Sequence, residues 1–251
     1  MKSADRSLNL LIGVNPILEQ LRRDASAIRR IMVAHGVSAG AAEVAGEAKR
    51  AGVEVVREAP SRLRELAGGG SHQGAVAVVR PFRYHDWYEL VASRPECLLV
   101  GDQITDPRNL GALIRSAEGA GAGGMIVPQD RSAAVGAVVA KAAAGATSSL
   151  PVACVVNLAR ALGELQGAGY WVVGLDGAAS QSLFDFSFPN LCALVVGAEG
   201  RGLRPLTRSK CDYLLSIPML GNVGSLNVSV AAAVALYERV RQRRERGVSS
   251  D

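Results

Sequence analysis

Leu98-Leu-Val-Gly-Asp-Gln-Ile-Thr-Asp-Pro-Arg-Asn-Leu-Gly-Ala-Leu-Ile-Arg115 is the stretch that decides the fold. It opens on a short apolar run, Leu98–Gly101, continuous rather than alternating, the pattern of a strand covered on both faces. A polar loop carrying a proline follows. Leu110, Leu113, Ile114 and Ala117 then recur at i, i+3, i+4 and i+7, the buried stripe of a helix. At 100° per residue, Arg108 and Arg115 fall within about 20° of each other on the opposite side. Arg115 is therefore not a core residue; it faces solvent, a partner or a site.

The same strand–loop–helix unit recurs to the end of the chain. Short apolar runs predict strands at Leu98–Gly101, Met125–Val127, Val152–Val155, Trp171–Leu175, Leu191–Val196 and Tyr213–Ile217, and a closing helix over Asn227–Arg244. Residues 97–251 are expected to form a mostly parallel α/β sheet. Residues 1–80 form a smaller α/β module. Asn15-Pro16 opens a helix through Arg23, because proline at the first helical position loses no hydrogen bond. Strands are expected at Ile28–Val33, Val53–Val56 and Ala75–Val79, with helices starting near Ser38 and over Ser61–Leu66. No aromatic residue precedes Phe82; Phe82, Tyr84, Trp87 and Tyr88 then arrive together as the patterning breaks, which marks 81–96 as a linker.

Of the 251 residues 49% are hydrophobic and 20% charged, which excludes disorder for the bulk of the chain. No apolar run reaches the length of a membrane span, and Met1–Arg6 is polar, so a soluble, cytoplasmic chain is expected. Cys97, Cys154, Cys192 and Cys211 form no CxxC pair and read as buried free thiols, not as disulfides or zinc ligands. With His35, His72 and His85 equally dispersed, no metal is expected. The net charge of +5 mildly favours a polyanionic partner. The one dense run, Arg239, Arg241, Arg243, Arg244 and Arg246, reads as a solvated helix end or as a nucleic-acid grip. Without aromatics the first module has no base-stacking platform. If it holds RNA it does so by shape, polar groups and Arg22, Arg23, Arg29, Arg30, Arg62 and Arg64, candidate phosphate contacts for each of which plain surface charge is the simpler reading.

Three glycine- and polar-rich loops fall at the C-terminal ends of predicted strands, where open α/β folds place their ligands. The first is Asp102–Asn109. The second, Gly197-Ala-Glu-Gly-Arg-Gly202, fits neither a Walker loop nor the dinucleotide fingerprint and reads as a tight turn or a binding loop. The third, Pro218–Asn227, leads into the last helix, and a cap by Ser225 or Asn227 explains it as well as a site does.

In this order, Asn109-Leu-Gly-Ala-Leu-Ile-Arg115, Val195-Val-Gly-Ala-Glu-Gly-Arg-Gly-Leu203 and Ile217-Pro218 with Ser225-Leu-Asn-Val-Ser229 resemble the three motifs of the SpoU/TrmH RNA 2'-O-methyltransferases. The resemblance covers residues 97–251 and reaches the first module, where Ser71-His-Gln-Gly74 is similar to the end of the substrate-binding domain in members that methylate guanosine in large-subunit ribosomal RNA. It implies a C-terminal trefoil knot, a homodimer, S-adenosylmethionine as cofactor and 23S ribosomal RNA as substrate, with no membrane or DNA partner. Asn109, Arg115, Glu199, Ser225 and Asn227 take the catalytic positions, and backbone groups at Gly197, Ile217 and Leu226 those that hold the cofactor. A transfer-RNA methyltransferase of the same superfamily, or a non-catalytic ribosome-assembly protein, are the competing expectations. The motif-one arginine is often assigned as general base. Deprotonating a guanidinium near pH 7 costs about 7 kcal/mol, whereas a well-placed base returns about 10²–10⁴-fold, roughly 3–5 kcal/mol. The expectation is therefore that Arg115 stays charged, grips a phosphate and stabilises the developing alkoxide, while the proton leaves to water or Glu199.

Overall fold

The computed structural model describes residues 9–36 and 38–247, so Met1–Arg6 lies outside them. The chain divides into two compact units at Phe82/Arg83. In the first, β1 (Asn9–Ile12), β2 (Ile28–Ala34), β3 (Val55–Glu58) and β4 (Ala75–Val79) form a sheet in the order β1-β4-β2-β3, with only β2 and β3 parallel. Helices α1 (Val14–Asp24), α2 (Ala39–Arg50) and α3 (Pro60–Leu66) pack on it. Leu63 of α3 sits with Met32, Val76 and Val78, while α1 buries Ile17, Leu18 and Leu21. Strand β1 was not expected. It is four residues long, and its partner β4 lies more than 60 positions away.

Local chemistry explains the turns of this unit. Ser38 caps α2 by accepting from the Ala41 N–H. The Ser71–Gly74 segment is a turn leading into β4: His72 Nδ1 accepts from the Gly74 N–H at 3.1 Å, and Gln73 Oε1 accepts from the Val14 N–H at 3.2 Å. A register shift between Ile28 and Arg30 in the β2–β4 ladder leaves both Arg29 and Arg30 exposed, although successive strand residues ordinarily alternate. Arg22 pairs loosely with Glu43 and Arg62 with Glu65, while Arg29, Arg30 and Arg64 have no side-chain partner among the described residues.

The second unit begins earlier than the aromatic cluster suggested. Residues 83–96 belong to it and are not a linker, because α4 (Trp87–Ala92) buries Leu90 and the Trp87 indole donates to Glu164 at 2.9 Å. Asp86 caps this helix, and Tyr170 Oη donates to the Pro95 carbonyl. The following elements are β5 (Cys97–Gly101), α5 (Pro107–Gly119), β6 (Gly124–Pro128), α6 (Ala137–Ala142), β7 (Val152–Val155), α7 (Leu158–Gly167) and β8 (Trp171–Leu175). Then come β9 (Gln181–Ser182), β10 (Cys192–Val196), α8 (Pro205–Arg208), β11 (Tyr213–Ser216) and α9 (Val228–Glu245). The sheet runs β7-β6-β5-β10-β8-β11-β9 with every pair parallel. Helices cover both faces, so β5, β6 and β10 are buried at every residue.

From β5 the chain moves outward to β6 and β7, then crosses over, and β10 returns to lie between β5 and β8. The crevice at the C-terminal ends of β5 and β10 is the topological switch point. Helix α5 buries the expected Leu110, Leu113, Ile114 and Ala117, together with Gly111, where a Cβ would stand 2.5 Å from Ala142 of α6. Helices α5 and α9 lie side by side in parallel register. Asn109 meets Asn227 at one end, and the Tyr237 hydroxyl donates to the Gly119 carbonyl ten residues further along both helices.

The C-terminal arginine run is only in part a solvated helix end: Arg241, Arg244 and Arg246 are exposed, whereas Arg239 is buried. Arg239 is buried and donates to the Glu96 and Asn190 carbonyls, Arg243 pairs with Glu96, and Arg241 pairs with Glu238 and Glu245. Arg246 donates to the Phe188 carbonyl. Arg239, Arg243 and Arg246 tie α9 to the segments leading into β5 and β10, while the Arg241 pairs lie within the helix. All four cysteines are free. Cys97 and Cys192 are buried neighbours on β5 and β10 with Sγ atoms 3.9 Å apart, and Cys154 and Cys211 are half-buried. Among the described residues no helix is long and apolar enough to cross a membrane.

Candidate active site

A cavity of about 330 Å³ lies at the C-terminal ends of β8, β10 and β11. Gly197, Glu199, Ile217, Ser225 and Leu226 all line it, so five of the eight residues expected from the motifs meet at one surface. Leu175, Leu215, Ile217 and Val228 give it apolar walls, and Asp176 lines the same space, its carboxylate accepting from the Ala178 N–H and Arg208 Nε. The Arg208 guanidinium, 2.5 Å from Asp176, holds that carboxyl below the usual carboxylate range.

The glycines shape this cavity through the chain's own return. After β10 the loop doubles back so that Ala198 and Gly202 exchange backbone hydrogen bonds of 3.1 and 2.8 Å. A Cβ on Gly197 would lie 2.2 Å from the Gly202 carbonyl, and Gly200 and Gly202 adopt φ of +73° and +65°. Gly197 is required by this close backbone crossing.

Asn227 ties the three loops together. Its Oδ1 accepts from the Ser229 N–H at 2.9 Å and so caps α9. Its Nδ2 donates to Asn109 Oδ1 at 3.0 Å and to Glu199 Oε1. It caps the helix with one end of the amide and joins Asn109 and Glu199 with the other. Ser225 does not cap α9; it is exposed at the cavity rim.

Arg115 stands apart. It is exposed, has no partner among the described residues and does not line the cavity. Six residues beyond Asn109 on α5, it lies about 9 Å along the axis and about 240° around it.

Sequence reasoning missed two carboxylates. Asp102, the first residue after β5, is fully buried and accepts from the Arg204 backbone N–H at 3.0 Å and from Arg204 Nε at 2.6 Å. That pair fastens the loop after β5 to the loop after β10, the two sides of the switch point. Asp176 is likewise the first residue after β8. An acidic residue directly after an apolar run was the available signal for both.

The profile of the SpoU rRNA Methylase family matches residues 96–237, and that described as RNA 2'-O ribose methyltransferase substrate binding matches residues 10–85. The chain belongs to the SpoU rRNA methylase family. A 23S rRNA (guanosine-2'-O-)-methyltransferase RlmB from Xylella fastidiosa strain 9a5c is 44% identical over 239 residues, 93% of this chain and 96% of that one. The protein of the same name from Ralstonia nicotianae is 45% identical over 238 residues, with the same coverage. Among solved structures, the SpoU methyltransferase AviRb from Streptomyces viridochromogenes, in complex with AdoMet, superposes with a TM-score of 0.70 at 29% identity. That match covers 94% of this chain and 90% of AviRb. The three loops that Asn227 and the cavity bring together all lie within the matched residues 96–237.

Proposed function

We propose that this protein is an S-adenosylmethionine-dependent RNA methyltransferase that methylates the ribose 2'-hydroxyl of a guanosine in 23S ribosomal RNA. The observation that carries the reading is the convergence of Asn109, Glu199 and Asn227 on one hydrogen-bonded cluster beside a cavity at the switch point. The names of the full-length relatives supply the substrate.

The cavity suits the cofactor on chemical grounds. Leu175, Leu215 and Ile217 offer apolar cover for an adenine, Asp176 is an acceptor for ribose hydroxyls, and the crossing at Gly197 leaves backbone in place of a side chain against the cavity. Backbone groups at Gly197, Ile217 and Leu226 would hold the adenosine. S-adenosylmethionine supplies, when bound, a methyl group already activated on a sulfonium. The chain's task is then alignment, which is worth roughly 7–11 kcal/mol when two reactants are held in an attack geometry. The bridged Asn109 and Asn227 amides and the Ser225 hydroxyl position the ribose, and Glu199 at the rim, or water, receives the 2'-hydroxyl proton.

Arg115 acts through its charge on the RNA phosphate and the developing alkoxide. In a homodimer this arginine is free to serve the cavity of the other protomer; its exposure and distance from the Asn109 cluster support that assignment. The first unit docks the RNA through exposed Arg29, Arg30 and Arg64. A C-terminal trefoil knot completes the reading, supported by β10 and β11 flanking the earlier strand β8.

Incubating the protein with labelled S-adenosylmethionine and protein-free 23S rRNA, with bulk transfer RNA in parallel, tests the proposal. Label in a guanosine 2'-O-methyl of 23S rRNA is expected. Label confined to transfer RNA would reassign the substrate. Calorimetry showing no binding of S-adenosylmethionine would leave a non-catalytic RNA-binding protein.

A further inference from the structure

A second cavity of about 400 Å³ opens on the same edge of the sheet, at the ends of β6 and β7. At roughly 4.8 Å between strands, β6 lies on the order of 10 Å from β10 and the Glu199 loop. Asp130 and Arg131 come from the loop after β6, Val156 and Asn157 from the end of β7, and Arg204 and Leu206 from the loop and helix beyond β10.

Its polar groups are mixed in sign. Arg204 is held by the buried Asp102 through Nε and the backbone N–H, and its two terminal amino groups make no hydrogen bond among the described residues. Asp130 and Arg131 are exposed and enter no hydrogen bond or ion pair among the described residues. Bare phosphate is a poor match, because Asp102 already balances Arg204 and Asp130 faces the same space. A planar group with acceptors on one edge and a donor on another is a good one. Guanine offers O6 and N7 as acceptors, the edge arginine reads most often, and its 2-amino group as a donor. Adenine would turn its 6-amino donor toward the arginines. Val156 and Leu206, 80% and 61% exposed, supply apolar surface for the faces of a base turned out of its stack.

We propose that this cavity is the base pocket for the guanine of the nucleotide being methylated, with Arg131 and Arg204 donating to O6 and N7 and Asp130 accepting from the 2-amino group. The inference rests on the function proposed above and adds the residues that select the base.

The test uses 23S rRNA carrying guanosine, inosine or adenosine at the position the parent protein methylates. Inosine lacks only the 2-amino group. Since a hydrogen bond to a charged group contributes about 1.5–3 kcal/mol, the parent is expected to favour guanosine over inosine by about tenfold or more in kcat/KM. Asp130→Ala is expected to lower the rate on guanosine and bring guanosine and inosine within about twofold, as expected when the one contact that distinguishes them is gone. Arg131→Ala is expected to lose roughly 5- to 150-fold on guanosine, the range for one bidentate base contact. Cofactor affinity and melting temperature should stay at parental values in both variants, which a structural role would not allow. A parent that treats guanosine and inosine alike, or an Asp130→Ala variant that keeps the full preference, overturns the pocket and leaves the function intact. A parent that methylates no 23S rRNA position overturns the function, and the pocket with it.

Discussion

Asn109 and Asn227, 118 positions apart, are joined by a single 3.0 Å hydrogen bond between side-chain amides, each at the beginning of a helix of the same parallel pair. The bond fixes the relative height of α5 and α9, and the same Asn227 amide reaches Glu199 on the loop between β10 and α8.

Substituting Asn227 separates its two jobs. Asn227→Ser keeps a side-chain oxygen for the α9 cap, so its stability should stay close to parental, whereas Asn227→Ala should lose about 0.5–2 kcal/mol. Both lose the bonds to Asn109 and Glu199, so methyl transfer should fall in both. Thermal unfolding set beside single-turnover rates checks this; a fully active Asn227→Ser would show that the bridge is only a cap.

Arg115 has no partner among the described residues, so Arg115→Ala should unfold within about 0.5 kcal/mol of the parent while losing on the order of 10²-fold or more in kcat. Arg115→Lys retaining most of kcat at neutral pH would argue against a specific guanidinium role, and a steep rise in rate with a lysine-like pKa would argue for the base. Mixing Arg115→Ala with Asn227→Ala subunits should restore activity if each homodimer site draws on both protomers.

A methyl on Gly197 meets the Gly202 carbonyl at 2.2 Å, and neither backbone can step aside without opening the turn. Gly197→Ala should cost about 1–3 kcal/mol and weaken S-adenosylmethionine binding. Calorimetry with the cofactor reads the second effect; parental affinity would mean that this crossing does not shape the site.

The Asp102–Arg204 pair should show the asymmetry of a buried charge. Arg204→Ala leaves a fully buried carboxylate without its cation and should destabilise by about 3–5 kcal/mol. Replacing the pair together, Asp102→Asn with Arg204→Ala, should recover part of that loss. Urea unfolding of the single and double variants measures it.

Burial pushes the Cys211 thiol up to about 12, so its reactive thiolate is nearly absent at pH 8 in the folded protein. Its alkylation should be slow in the native state and fast once urea exposes it. Site-resolved labelling by mass spectrometry checks this, and native Cys211 reacting at the rate of a free thiol would mean the site opens in solution.

The elements that carried the site were legible because each motif is continuous in sequence: strand, glycine loop and helix start are read within a dozen residues. Periodicity also gave the buried stripe of α5 and the outward Arg115. What escaped were relationships made by the fold. Asp102 gains its meaning from Arg204, 102 positions later, and Asp176 from Arg208. Arg239 looked like surface charge because its partners are the carbonyls at Glu96 and Asn190, groups common to every residue. The aromatic cluster around Trp87 looked like a break in pattern because α4 is a single short helix whose indole partner, Glu164, lies 77 positions on.

The central pairing of the sheet joins Cys97 to Cys192 across 95 positions, whereas β5, β6 and β7 follow one another directly. Bringing together segments so far apart is the step with the greatest chain-entropy cost and therefore the slow one. During synthesis β5, β6 and β7 have their neighbours early, but the crevice has only one bank until β10 has emerged, and its bridging amide belongs to a residue made later still. A nascent chain of this protein therefore completes its first unit long before residues 109, 199 and 227 can meet, and its methyl-transfer site is the last part to be assembled.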